Sequence, residues 1–292
     1  MKHIILSLLA LTITACVSSS STGTPAPITY INPVVPSTER WVVYYTDKLP
    51  ASAFSDYDLI AFDSDHHPDL LPLKAQGKIL LGYISLAEAE TYRSYYKKIK
   101  DKGLLLENNN LWKGHVIIDV RKEEWERMLL DELIPPILAQ GFDGIMIDTI
   151  DSAIYPEIEH PEKYAGMKQG AVKLVKAIRA RYPNIKIMIN RGLEIADQTA
   201  PYIDYLMAES TLTDWVPDPT KPKLVDEATY QRYLEMIRQA RAASPTLKIY
   251  SMDYWDMNDA QGVKSIYARQ RAQGFVPYVS TMDLQHLHDE PK

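Results

Sequence analysis

Two short apolar runs in this chain stop on carboxylates. Gly141-Phe142-Asp143-Gly144 turns the chain into Ile145-Met146-Ile147, which ends on Asp148, and Tyr205-Leu206-Met207-Ala208 ends on Glu209. An acid placed where a buried strand meets solvent is costly unless it has a partner or a task. In barrels of parallel strands, chemistry is built at the C-terminal strand ends. Two carboxylates at two such ends suit acid/base work on a glycosidic bond. One protonates the leaving oxygen, and the other attacks the anomeric carbon or activates water. The short side chain of Asp148 suits the nucleophile. The longer reach of Glu209 suits a proton shuttle, with its pKa raised by burial or neighbouring anions. Both can equally cap loops or pair with Arg121 or Arg191, and pattern alone leaves the two readings open.

Other strand ends carry polar groups as well. Asp63, Asp119, Asp253 and Asp283 follow apolar runs, and Tyr83-Ile84-Ser85 and Asn190-Arg191 close two more. Together they predict an acidic rim. Asp151, three residues after Asp148, binds a sugar hydroxyl or amine or starts a turn. Asp119 and Arg121 contact substrate or hold the rim together. Tyr83 and Tyr254 lie beneath a sugar ring or pack in the core. Asp63-Ser64-Asp65-His66-His67 invites a metal reading, but adjacent histidines point differently and no helix-spaced His pair accompanies them. No metal and no cofactor is expected. The serines lack a G-x-S-x-G turn, which disfavours a serine hydrolase.

The elements that must position these residues alternate between apolar runs and amphipathic segments, the pattern of a parallel α/β fold. Strands are expected at 42–45, 59–62, 79–84, 116–118, 145–147, 185–189, 205–207, 249–252 and 276–279, nearly all continuously apolar, as in strands covered on both faces. Trp125, Met128, Leu129 and Leu133 mark a helix that Pro135-Pro136 kinks or ends. Tyr164 to Ile178 and Tyr230 to Ile237 mark two more, and Asn258 is the expected N-cap of a fourth. Nine strands are one too many for an eight-stranded barrel. The expectation is therefore a (β/α)8 TIM barrel over 39–284 with Val42–Tyr45 as an extra N-terminal strand and a polar tail at 285–292. Asp148 then ends barrel strand four and Glu209 strand six. A doubly wound sheet is disfavoured by the lack of a Gly-rich phosphate loop after the first strand.

Length and composition fit one large domain: 292 residues, 46% hydrophobic, with 19 tyrosines and 5 tryptophans. The N-terminus is set apart. Lys2 and His3 precede the apolar stretch Ile4 to Ile13, too short for an ordinary membrane-spanning helix. Ile13-Thr14-Ala15-Cys16 then resembles a bacterial lipobox, which makes 1–15 a signal peptide and Cys16 the lipidated residue. The Ser/Thr/Pro-rich segment 16–38 is the expected tether, and the bacterial cell envelope the expected location. Val17 rather than Asp after Cys16 favours the outer membrane in a cell that has one. Cys16 is the only cysteine, so no intramolecular disulfide forms. The net charge of -6, lower by one once Lys2 leaves with the leader, disfavours nucleic acid as a partner.

Several segments taken together resemble the polygalactosaminidase-type glycoside hydrolases (family 114) and related barrel proteins of bacterial exopolysaccharide systems. They are Leu59-Ile60-Ala61-Phe62-Asp63, Gly82-Tyr83-Ile84-Ser85-Leu86-Ala87-Glu88-Ala89-Glu90, Ile117-Ile118-Asp119-Val120-Arg121, Gly141 to Asp148, Ile189-Asn190-Arg191-Gly192, Ala208-Glu209-Ser210 and Ser251-Met252-Asp253-Tyr254. The resemblance implies cleavage of α-1,4 bonds in galactosamine-containing polysaccharide, endo-acting and retaining. It places Asp148 and Glu209 as the catalytic pair and Asp63, Tyr83, Asp119, Asn190 and Asp253 along the groove. The chain departs from the pattern in Ser85-Leu86-Ala87-Glu88, where relatives commonly have a glycine before the glutamate, and in Arg191, where relatives carry a small or amide residue. An arginine at the rim repels a cationic sugar unless Asp119 or Glu194 neutralises it. The alternative is a catalytically silent carbohydrate-binding lipoprotein on the same fold.

Overall fold

The computed structural model describes residues 38–109, 112–214 and 222–292. Cys16, the leader and nearly all of the expected tether lie outside them. Eight parallel strands follow one another around a nearly closed barrel: β1 (Trp41–Tyr44), β2 (Leu59–Phe62), β3 (Ile79–Ser85), β4 (Gly144–Asp148), β5 (Lys186–Asn190), β6 (Tyr205–Glu209), β7 (Lys248–Tyr254) and β8 (Val276–Ser280). Trp41 of β1 meets Tyr278 of β8 edge to face, ring centres 6.2 Å apart, so the last strand returns to the first. Helices flank the barrel, the longest being Met167–Arg181, Glu227–Ala243 and Ala260–Arg271.

The TIM barrel and its extra strand are both present, but the extra strand is a different one. Trp41–Tyr44 pairs in parallel with Leu59–Phe62 and is barrel strand one. His115–Ile118 leaves the barrel and pairs antiparallel with Glu88–Glu90 and Leu105–Asn108 in a three-stranded insert after β3. Both runs are short and apolar, so composition does not separate them. The pairing partner does, and it lies far away in sequence. One strand enters the count and one leaves it, so Asp148 still ends strand four and Glu209 strand six.

Local chemistry sets the other elements. Pro135 and Pro136 cannot donate backbone hydrogen bonds, and the helix over Glu123–Ala139 carries a π-helical turn at Leu129–Leu133 just before them. Asp259, not Asn258, caps the helix Ala260–Arg271 by accepting from the Gly262 N–H.

Alternate residues on a strand share a face, and the four strands β4 to β7 use this identically. Met146, Met188, Met207 and Met252 are buried, and each lies two residues before Asp148, Asn190, Glu209 and Tyr254 respectively. The methionines form an apolar layer under a polar one. The barrel also depends on close approach at the start of β4. A Cβ on Gly144 would sit 1.8 Å from the carbonyl oxygen of Lys186 on β5. Both atoms belong to paired strands and cannot yield separately. Gly144→Ala is therefore expected to cost more than about 4 kcal/mol, seen as loss of soluble protein or a collapsed thermal transition.

Candidate active site

Asp148 and Glu209 are joined through Asn190. Its Nδ2 donates to Asp148 Oδ1 at 2.9 Å and to Glu209 Oε2 at 2.5 Å. The two carboxylate oxygens are thus no further apart than those bonds laid end to end, about 5.4 Å. The register explains how strands four and six meet over strand five. Ile147 is level with Ile189, while Asn190 is level with Met207, so Glu209 stands two residues higher on β6 and reaches back with its longer side chain. Glu209 Oε1 also accepts a hydrogen bond from the Tyr254 hydroxyl. Burial above the methionine layer, then the neighbouring Glu209 charge, pushes Asp148 up to about 7.

All three of these strands turn in the same unusual way. The residues after Asp148, Asn190 and Glu209 are Thr149, Arg191 and Ser210, with φ of 62°, 55° and 49°. Such left-handed non-glycine backbone costs of order 1–3 kcal/mol each and gathers at functional sites. Thr149 is held by Ser85 and the Ala87 N–H. The Ser210 N–H is held by the Met252 carbonyl, but its hydroxyl is buried without a partner.

Arg191 is clamped on every side. Its Nε bonds Asp151 at 2.7 Å, its Nη1 the backbone carbonyl of Glu209 at 2.7 Å, and its Nη2 the Tyr155 hydroxyl at 3.3 Å. Asp151, rather than Asp119 or Glu194, neutralises it. Asp151 also accepts from the Gly192 N–H, so its two oxygens are committed to the loop after β5 rather than presented to a ligand.

The first three strands supply a second cluster. Asp63 at the end of β2 takes both ends of the Arg93 guanidinium, and Arg93 also bonds Asp65. Burial alone would raise Asp63, but Arg93 outweighs it and holds the carboxyl below its ordinary value. The Tyr83 hydroxyl donates to Glu90 at 2.9 Å, and its ring meets Tyr45 edge to face. Burial, then the charges of Asp148, Glu209 and Asp63, raises the Tyr45 phenol well above its ordinary value, which places it among those acids. Glu88 is buried, accepts from His115, Asn109 and Ser152, and adds its charge to the field on Asp148.

Four of the expected substrate-binding residues have other duties. Asp253 is fully buried and accepts from Leu212 N–H, Thr213 N–H and hydroxyl, and Gln270 Nε2. Between Met252 and Tyr254 the strand can send only one parity inward, so Asp253 faces the helix Ala260–Arg271. Asp119 and Arg121 pair with each other at 2.7 and 3.0 Å, and Arg121 Nη1 donates to the Ala165 carbonyl. They follow the strand that leaves the barrel, and their charges are spent on each other. Tyr254 is 4% exposed and serves Glu209 through its hydroxyl rather than lying open beneath a sugar. The His67 ring is taken up by the Pro68 carbonyl and Gln140, and among the described residues no group of three or more His, Cys, Asp or Glu is arranged to hold a metal ion.

Tyr45, Glu88, Glu90 and Arg93 were not anticipated as site residues. Tyr45 was signalled by parity, two residues after Val43 at the end of an apolar run. Glu88 and Glu90 show the same alternation beyond Ser85. Nothing local marks Arg93, whose partner Asp63 lies 30 residues away.

A parallel eight-stranded barrel with two acids bridged at its C-terminal rim has the architecture of a glycoside hydrolase. The chain belongs to glycoside-hydrolase family GH114, whose profile matches residues 22–291. An uncharacterised protein of Deinococcus radiodurans is 29% identical over 315 residues, covering 98% of this chain and 98% of that protein. Another, from Thermotoga maritima, is 25% identical over 72% of this chain and 67% of its own length. The glycoside hydrolase domain of PelA from Pseudomonas aeruginosa shares the fold with a TM-score of 0.74, at 22% identity over 86% of this chain and 98% of that one. Ega3 of Aspergillus fumigatus, solved in complex with galactosamine, does so at 0.61, with 16% identity over 85% and 92%.

Two stability predictions follow from the strain and charge stored here. Asp148 is neutral in both folded and unfolded chains at low pH. From about pH 4 the unfolded chain ionises it while the folded one keeps its proton until about 7. Stability therefore falls as pH rises through that window. Asp148→Asn removes the penalty, so its advantage over the parent in thermal melts grows from pH 4 to 8, reaching the order of 2–4 kcal/mol. Ser210→Gly relieves a left-handed residue and an unpartnered hydroxyl. It is expected to gain about 1 kcal/mol in stability while lowering turnover, because Glu209 is held less firmly.

Proposed function

We propose that the protein is a retaining glycosidase that cleaves α-1,4 linkages within galactosamine-containing polysaccharide. The observation that carries the reading is the single Asn190 amide shared by Asp148 and Glu209. Retaining sites place their carboxyl groups about 5–5.5 Å apart, whereas inverting sites need about 6.5–9.5 Å to admit a water. A silent sugar-binding protein on this fold has no use for two acids held so close, and the spacing favours the enzyme.

In this reading Asp148 is the nucleophile and Glu209 the acid/base. Near neutral pH the coupled pair holds one proton. A sugar ring bringing positive charge over Asp148 favours the ionised form there, as attack on the anomeric carbon requires. An Asp148 oxygen then bonds to the anomeric carbon as the glycosidic C–O bond breaks, and Glu209 gives its proton to the leaving oxygen. In the second step Glu209 takes a proton from water, whose oxygen displaces Asp148 from the same carbon. Asn190 contacts both acids and steadies each charge in turn. Tyr254 and the Arg191–Asp151 clamp hold Glu209 by its side chain and its backbone. The anions around the pair suit an amino sugar that is at least partly deacetylated. Placement of the enzyme at the cell envelope by a lipid on Cys16 belongs to the same proposal and rests on the lipobox-like sequence.

The test is hydrolysis of acetylated and deacetylated galactosamine oligosaccharides by the soluble domain from about Ile28 onward. Product with retained anomeric configuration is expected, with losses of at least about a thousandfold in Asp148→Asn and Glu209→Gln. The rate should fall as pH rises past about 7, when the pair loses its proton. Inverted product, or full activity in either variant, would refute the assignment. Mass spectrometry of membrane fractions checks the lipid: an unmodified Cys16 in the mature protein would remove the anchor.

A further inference from the structure

Among the described residues, the exposed tyrosine and tryptophan rings are Tyr92 at 69%, Trp112 at 45% and Tyr155 at 37%. Single exposed apolar groups are ordinary on a protein surface. These three are set apart by their shared location. Tyr92 and Trp112 belong to the antiparallel insert that follows the C-terminal end of β3, and Tyr155 to the helix Asp151–Glu159 that follows β4.

Each ring is also one side chain removed from the groups that surround the acid pair. The Arg93 guanidinium lies 5.1 Å from the centre of the Tyr92 ring and 5.3 Å from that of Tyr83, and it bonds Asp63. The Trp112 ring lies 6.1 Å from that of His115, which bonds Glu88, whose charge is felt at Asp148. The Tyr155 hydroxyl accepts from Arg191, which also holds the Glu209 carbonyl. The rings therefore stand beside the mouth of the barrel at its catalytic end, above the adjacent strands β3 and β4.

A flat ring in water at such a place offers an apolar face to the C–H face of a pyranose, and its π-system attracts an ammonium group. We infer that Tyr92, Trp112 and Tyr155 form outer sugar-binding platforms, each seating one pyranose of a polysaccharide chain beyond the residue under attack. The inference rests on the proposed glycosidase function and extends it: affinity grows with chain length because sugars beyond the one under attack add contacts on the side of the mouth above β3 and β4.

The experiment uses the Asp148→Asn protein, which binds without turnover, titrated calorimetrically with partly deacetylated α-1,4-galactosamine oligosaccharides of two and eight residues. The octamer is expected to bind more tightly than the dimer. Adding Tyr92→Ala and Trp112→Ala together should cut the octamer-to-dimer affinity ratio about tenfold, the combined effect of two lost stacking contacts. Trp112→Phe, which keeps a ring, should retain most of that ratio. Equal affinity for the two lengths in the parent, or a ratio unmoved by the double substitution, would overturn the platforms and leave the catalytic assignment standing. Binding of neither oligosaccharide would remove the proposed substrate and the platforms together.

Discussion

The organising constraint is the repulsion between two carboxylates brought within reach of one amide above an apolar floor. Like charges at this distance resist sharing a dry site, and removing them from water adds to the cost. Asn190 offsets part of that by donating to both at once. This arrangement requires three consecutive strands whose last residues face inward, the first two ending level and the third two residues higher. It also requires a longer side chain on the strand that overshoots. Aspartate on β4, asparagine on β5 and glutamate on β6 meet those requirements. The left-handed turns after all three strands follow, since the chain must bend away sharply to leave the acids facing the mouth. The clamp of Arg191 on Asp151 and on the Glu209 carbonyl keeps two of those turns in place.

The rim is consequently less acidic than a list of strand-end residues implies. Arg93 occupies Asp63 and Asp65, Arg191 occupies Asp151, and Arg121 occupies Asp119. Asp253 is turned to the outer layer, where four donors meet it. Asp148 and Glu209 are the strand-end acids here that accept from neutral amide and hydroxyl donors at the inner rim instead of from a cation. An arginine beside either would favour its ionised form and remove the proton that burial keeps on Asp148. The cations therefore stand one layer back, where they fix backbone and neighbours without quenching the pair.

Much of this was legible in the sequence. Apolar runs ending on polar residues gave the strands, and the acid pair was visible because each member terminates such a run. Parity adds to this: in Met252-Asp253-Tyr254 only one of the two polar residues can face inward. The misplaced strand has a different cause. Trp41–Tyr44 and His115–Ile118 are equally short and apolar, and only pairing with a distant partner decides which enters the barrel. Long-range ion pairs were hidden for the same reason. Arg93 looks like any surface arginine until the fold lays it beside Asp63, and the neutralising partner of Arg191 is found 40 residues earlier in the chain.

Asp148 ends strand four and Glu209 strand six whichever of Trp41–Tyr44 and His115–Ile118 enters the barrel, and the reason is physical. The essential quantity is the one strand lying between the two acids, and neither disputed run falls between residues 148 and 209. Exchanging one strand for another upstream of β4 leaves unchanged which strand separates the pair. The strand left out of the barrel also has consequences at the site. Released from the parallel ladder, His115–Ile118 folds back on Glu88–Glu90, and His115 meets Glu88 beside Asp148. The departure of that strand thus places a third buried carboxylate near the pair, and its charge adds to the effect of burial and Glu209 that keeps a proton on Asp148.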